Sequence, residues 1–196
     1  MSDLTGVRKK CPKHLGGHGN RTHVDRGALS WARKRLEAKS LVDLGCGPGG
    51  VVEDALALGY EKVLGIDGDP TISYREGFPI VRHDFSVGGL KLEDSYDLLW
   101  TVEFLEHVDE KFIDNFFQVM SSARYVACTH ALPGKNGHHH VNCQSEDYWK
   151  GEFSSRGFMF CGDLTEELRK ASTMKREFMR QTGKVFKRVK ATGQQL

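Results

Sequence analysis

What the chain lacks narrows its class first. No apolar run reaches the ~18 residues of a membrane-spanning helix, so none is expected. The opening stretch MSDLTGVRKK is basic but has no apolar centre, so no secretory leader is expected there. Cysteine is scarce. Cys11, Cys46, Cys128, Cys143 and Cys161 form an odd, widely spaced set. That argues against a disulfide framework and for free thiols in a reducing, cytoplasmic setting. No internal repeat is present, and the histidine triplet at 138–140 is internal rather than a tag.

A chain of 196 residues suits one domain with short arms. Its net charge of +2 conceals a segregation. Residues 1–39 hold 10 basic and 3 acidic side chains, residues 40–167 hold 9 and 22, and residues 168–196 hold 9 and 1. The balances are +7, −13 and +8, an acidic centre between two basic ends. Such ends recruit an anionic partner such as nucleic acid, or simply keep helix faces solvated.

Residues 1–24 are rich in Gly, His and Lys without periodicity and read as loop. Leu29, Ala32 and Leu36 recur at helical spacing within 27–38. Strands are predicted at SLVDLG (40–45), KVLGID (62–67), FPIVRHD (78–84), YDLLWTVEF (96–104), RYVACTHA (124–131), GFMFCG (157–162) and KVFKRV (184–189). Helices are predicted at 49–58, 145–155 and 164–179. Leu105, Val108, Phe112, Ile113, Phe116, Phe117 and Met120 mark one face of a further long helix. The alternation predicts an α/β fold: a seven-stranded, mostly parallel sheet with helices on both faces. In such sheets ligands bind outside the carboxyl ends of the strands.

The segment VDLGCGPGG (42–50) follows the first strand and places four glycines in nine residues. Backbone without Cβ permits positive φ and close approach of a ligand. The helix start behind it offers unpaired N–H groups. Gly45-x-Gly47-x-x-Gly50 also fits the dinucleotide fingerprint of nicotinamide and flavin enzymes. The chain is short for the second half-sheet or substrate domain of such an enzyme. Asp43, two residues before the first glycine, suits an ammonium group, which a dinucleotide lacks.

LVDLGCGPGG resembles motif I of class I S-adenosylmethionine-dependent methyltransferases. VLGIDGDP, VRHDF and YDLLWTVEFLEHV resemble that family's second-, third- and fourth-strand motifs in order. HHHVN with Gly157-Phe158 resembles the late region of the small methyltransferase-domain families, so the likeness covers about residues 40–160. It implies a Rossmann-like class I fold and S-adenosylmethionine as cofactor. It places Asp43 near the methionyl ammonium and Gly45, Gly47 and Gly49 along the methionyl arm. Asp67 would meet the ribose hydroxyls, and Asp84 the adenine amino group, with Phe85 packed nearby. Cys46, Gly68 and Thr101 complete the implied cofactor contacts. Asp69 reads as a turn residue, Asp84 also suits a helix cap, and Trp100 suits the core as well as the site.

Methyl transfer from a sulfonium is an in-line displacement with a good leaving group. The protein mainly supplies alignment and water exclusion. A base is needed only for a hydroxyl or a protonated amine. His107, His139 and His140 are the candidates, with His130 and Glu103 behind them. Glu103, Glu106 and His107 fall at i, i+3 and i+4, one face of a first helical turn. With a later histidine, His139 or His140, they suit Mg²⁺ or Mn²⁺. This set is similar to the metal site of small-RNA 3′-terminal 2′-O-methyltransferases and of ubiquinone-pathway O-methyltransferases, although GKNGHHHVN reproduces neither family's loop.

Cys11, His14, His18 and His23 invite a zinc reading, but no second cysteine pair accompanies them. Residues 1–26 read better as a basic arm lying over the cofactor, with Arg21 or His23 near it. Residues 27–196 then form a single methyltransferase domain with a basic C-terminal helix and strand. The expected reaction is methyl transfer to an O or N acceptor on a small molecule or sugar. Metal-assisted RNA methylation, with nucleic acid bound through the basic arms, is the second reading. A non-catalytic cofactor-binding protein is the third. The Asn/Asp-Pro-Pro-Tyr run of amino-methylating DNA enzymes is absent. Neither the acceptor nor the oligomeric state is legible in the loops.

Overall fold

Strand β1 (Ser40–Leu44) is the axis of the fold, and four of its five residues are buried. That is what a near-continuous apolar run requires of a parallel strand covered on both faces. In the computed structural model, which describes residues 10–189, β1 lies between β2 (Lys62–Asp67) and β4 (Tyr96–Thr101). The parallel sheet continues through β3 (Ile80–Arg82) on one side and β5 (Ala123–Cys128) on the other. Strand β6 (Phe158–Phe160) forms the far edge, and β7 (Lys184–Arg188) runs antiparallel between it and β5. The order β3-β2-β1-β4-β5-β7-β6 is the seven-stranded, mostly parallel sheet that the alternation of elements predicts. Residues 1–9 of the basic arm and 190–196 of the basic tail lie outside the described residues.

Successive strand residues point to opposite faces, so the sheet builds two cores. Leu41, Leu98 and Tyr125 pack with α1 (Arg26–Arg35) and α2 (Gly50–Ala57). Val42, Leu99 and Val126 pack with α3 (Ile113–Met120) and α4 (Glu146–Ser155). Helix α5 (Gly162–Ala171) and the short α6 (Phe178–Thr182) join the first face through Leu168 and Met179. In the second core Phe153 is fully buried and stacks on Phe186 with ring centroids 3.9 Å apart. Phe153→Ala is expected to cost about 3–5 kcal/mol in denaturant unfolding, the loss of a buried ring plus the cavity it leaves. A loss below ~1 kcal/mol would show that this aromatic layer is not packed tightly.

Two helices differ from expectation. The apolar face from Leu105 to Met120 is not one helix. It comprises two 3₁₀ turns, Leu105–His107 and Glu110–Phe112, followed by α3. Val108 takes extended backbone (φ −104°, ψ 121°), which breaks the helical run. Asp109 then starts the second turn by accepting a hydrogen bond from the Lys111 N–H. The predicted helix 164–179 likewise ends at Ala171, because Ser172 is extended. There the Ser172 hydroxyl and the Thr173 N–H turn to the buried Asp25 carboxylate, which also caps α1. Among the described residues no helix is long and apolar enough to cross a membrane.

Candidate functional site

The carboxyl ends of β1, β2 and β4 open on a cavity of about 510 Å³, within the range of small-molecule sites. The glycine turn forms its floor. Gly45 has φ +78°, and a Cβ there would lie 2.6 Å from Phe104, so both conformation and contact demand glycine. The Asp67 carboxylate braces this turn, accepting from the Gly47 N–H at 2.7 Å and the Asp69 N–H at 2.8 Å. Asp43 is buried, and one of its carboxylate oxygens has no hydrogen-bond partner. Burial, and then the charge of Asp67, push its pKa well above the usual carboxylate range. A buried acid in this state calls for a cationic partner.

Asp43, Gly45, Cys46, Gly47, Asp67, Gly68, Asp84 and Phe85 all line the cavity, together with Trp100. Two implied cofactor contacts lie outside it. Thr101 is fully buried and its hydroxyl donates to the Leu44 carbonyl, a link between β4 and β1. Gly49 caps α2 with φ +90°, and a Cβ there would meet Phe78 at 2.5 Å. Its bareness admits a neighbouring side chain rather than a ligand.

The described part of the arm crosses this floor. His14 is hydrogen-bonded to Asp84 at 2.8 Å, and His18 to Asp69 at 2.9 Å. The Thr22 hydroxyl accepts from the Gly50 N–H at 3.1 Å. Burial pulls the Asp84 pKa upward, but the bonds from His14 and Ser86 outweigh it and hold the carboxyl below its usual value. Arg21 and His23 both line the cavity. The zinc reading fails for a geometric reason. His14 and His23 turn to Asp84 and Phe178, and although His18 and Cys11 both reach Asp69, the four do not gather into a ligand set.

The opposite wall carries Glu103, His107, His139 and His140. The expected helical face is absent. Glu103 sits before the 3₁₀ turn with φ +55°, its N–H bound to the Thr129 hydroxyl. A three-member cluster assembles instead, with ligand atoms of Glu106, His107 and His140 all within 4.8 Å of one another. The Glu106 carbonyl accepts from the N–H groups of Val141 and Asn142 at 3.0 and 3.1 Å, which fastens the histidine loop to the turn. Of the two histidines left open by sequence, His140 joins the cluster, while His139 lines the cavity outside it.

Glu106 enters the cluster from the buried side. Both of its carboxylate oxygens lack a hydrogen-bond partner, as does Nδ1 of His107. Burial, with the charge of nearby Glu103, pushes Glu106 up to about 8. Burial, with the charge of His140, pushes His107 down to about 4. An unpartnered carboxylate beside two imidazoles fits a divalent cation in donor type and in its missing partners. His130, a candidate base, is not in the cavity. It is buried behind the sheet, where the Lys184 ammonium donates to its Nε2 at 3.0 Å.

Residues 42–128 match the sequence profile of a methyltransferase domain. No curated protein sequence matches the chain. Solved structures with the same fold include the sugar N-methyltransferase KedS8 from Streptoalloteichus sp ATCC 53650, at TM-score 0.63 and 10% identity over 84% of this chain and 87% of that one. The methyltransferase domain of bacterial CtHen1-C aligns at TM-score 0.55 and 16% identity, over 84% and 97%. An S-adenosylmethionine-dependent methyltransferase from Mesorhizobium loti aligns at 0.54 and 17%, over 83% and 99%. At these identities the likeness is one of fold. The sheet order and these alignments give the chain the Rossmann-like class I methyltransferase fold. The domain match and these structures support an S-adenosylmethionine-dependent methyltransferase.

Some of the wall was silent in the sequence. Phe104, Lys111 and Phe178 line the cavity, yet each looks like an ordinary helix or strand-end residue. No local signal marks them.

Proposed function

We propose that this enzyme methylates a hydroxyl oxygen with the help of a divalent cation held by Glu106, His107 and His140, with Glu103 beside them. The observation that carries this reading is the Glu106 carboxylate, buried beside Glu103 without a cationic partner and within 4.8 Å of two imidazoles. Metal assistance thereby takes precedence over the metal-free transfer first expected. Mg²⁺ or Mn²⁺ at such a site lowers the pKa of a hydroxyl in contact with it and orients that group. Acceptors with adjacent hydroxyls, such as ribose or catechol rings, suit it best.

The remaining roles belong to side chains of the chain itself. The unpartnered oxygen of Asp43 would take the methionyl ammonium of the cofactor. Asp67 would take the ribose hydroxyls, since each of its oxygens keeps a lone pair beyond its backbone bond. Asp84 would take the adenine amino group, with Phe85 against the ring. His139 is left to accept the hydroxyl proton. Burial and the charge of His14 push its pKa down, so its imidazole is neutral at neutral pH.

Calorimetric titration of Mn²⁺ into protein saturated with S-adenosylhomocysteine tests the reading, with one saturable site expected. No binding heat would overturn it and return the choice to metal-free transfer, to a small-molecule or sugar hydroxyl or amine, with His107, His139 or His140 as base. The arm supplies a second expectation. Deleting residues 1–24 removes Thr22 from the glycine turn and His14 and His18 from the floor. S-Adenosylhomocysteine affinity should then fall about tenfold or more, as a preorganised wall is lost. Unchanged affinity would refute a lid role.

A further inference from the structure

The described parts of the two basic segments meet beside the cavity. Asp25 accepts from the Thr173 N–H at 2.9 Å, and the Gly27 N–H donates to the Thr173 hydroxyl at 2.9 Å. These bonds lay the segment between α5 and α6 beside the arm. There the His23 ring meets Phe178 edge-on, with centroids 5.3 Å apart, and both line the cavity with Arg21. Arg176 precedes Phe178 by two residues. After burial, its charge and that of Arg21 are what push the His23 pKa down. Arg21 and Arg176 are exposed. Neither forms an ion pair among the described residues, whereas Arg26 and Arg180 are neutralised by Asp54 and Glu177.

The cavity therefore changes sign from floor to mouth. Asp43, Asp67, Asp84 and Glu103 line the interior and favour a cationic ligand, which S-adenosylmethionine is. An anionic group is repelled from that floor and attracted to the rim. Unpaired arginines fit phosphate by charge and by their forked donors. The exposed His23 ring and the half-buried Phe178 beside them fit unstacked bases, the pairing by which single strands are held. A lone phosphorylated small molecule would leave the aromatic pair unused.

We infer that Arg21, His23, Arg176 and Phe178 form a landing site for the phosphodiester and base of a single-stranded RNA whose ribose presents the acceptor hydroxyl. The choice of ribose rests on the cation-assisted reading above, but the rim itself does not.

The test is fluorescence anisotropy of a short 5′-labelled single-stranded RNA with the full chain saturated in S-adenosylhomocysteine, with and without Mn²⁺. Wild-type affinity should fall steeply with salt. The double variant Arg21→Ala, Arg176→Ala should bind about tenfold more weakly, with a salt slope shallower by about 1.4, roughly 0.7 per phosphate contact on a single strand. Both side chains are exposed and unpaired, so the variant should fold normally. Equal affinity and slope in the double variant would overturn the proposal. So would binding of the strand no tighter than that of a nucleoside 5′-monophosphate. Mn²⁺ titration of the same proteins separates the two readings. Rim-dependent RNA binding without Mn²⁺ uptake would sink the cation and leave the landing site. Mn²⁺ uptake without rim-dependent binding would do the reverse.

Discussion

Glu106→Ala should give a folded protein that no longer takes up Mn²⁺ and turns over at least about a hundredfold more slowly. A cation stabilises developing oxyanion charge by several kcal/mol, and each ~1.4 kcal/mol is a factor of ten. The side chain supplies the cluster's carboxylate, and the two imidazoles alone make a weak site for a hard cation. The fold should not suffer. The carboxylate has no cationic partner and faces only the Glu103 carboxyl, so truncation forfeits at most that one contact. The backbone carbonyl that holds Val141 and Asn142 remains in place. Removing an uncompensated buried acid leaves stability in chelator unchanged or raises it. Calorimetry, thermal unfolding and turnover with added Mn²⁺ check the three parts. Wild-type Mn²⁺ affinity in the variant would remove Glu106 from the site. A collapse in stability would mean that the Glu106 carboxylate, through Glu103, helps hold the turn.

Asp67→Ala should weaken S-adenosylhomocysteine binding by about a hundredfold or more. Two hydrogen bonds from ribose hydroxyls to a carboxylate contribute roughly 1.5–3 kcal/mol each. The same carboxylate accepts from the Gly47 and Asp69 N–H groups, so its loss also loosens the turn that shapes the floor. Asp67→Asn separates the two effects. The amide oxygen can keep one backbone bond, and the loss should lie between wild type and alanine. Isothermal titration of all three proteins gives the ranking. Equal affinity of wild type and Asp67→Ala would move the ribose elsewhere and leave Asp67 as a brace for the turn.

Much of the cavity floor was legible because it is local. Asp43, Gly45, Gly47 and Asp67 sit on consecutive strands and the turn between them, and the parallel register brings Asp43 level with Gly65 beside it. A motif does not tell a glycine left bare for a ligand from one left bare for a neighbour, so Gly49 looked like a contact and proves to admit Phe78. Thr101 misled for a related reason: it ends β4 near the site, but its hydroxyl is spent on the Leu44 carbonyl. The Glu103, Glu106 and His107 spacing pointed to the right neighbourhood with the wrong geometry. Nothing in the spacing shows that Val108 is extended and that the turn is 3₁₀.

The sequence by itself determined the alternating strands and helices, the glycine turn with its acid, the segregation of charge and the chemical type of the cluster. These follow from periodicity, residue type and short spacing, which act through neighbours in the chain. Only the tertiary structure decided that His140 rather than His139 reaches Glu106, that His14 and His18 are spent on Asp84 and Asp69, and that the described parts of the basic segments meet beside Phe178. Those pairings join residues far apart in sequence. Their partners are chosen by sheet order and by the hydrogen bonds that lay one loop on another, not by local preference.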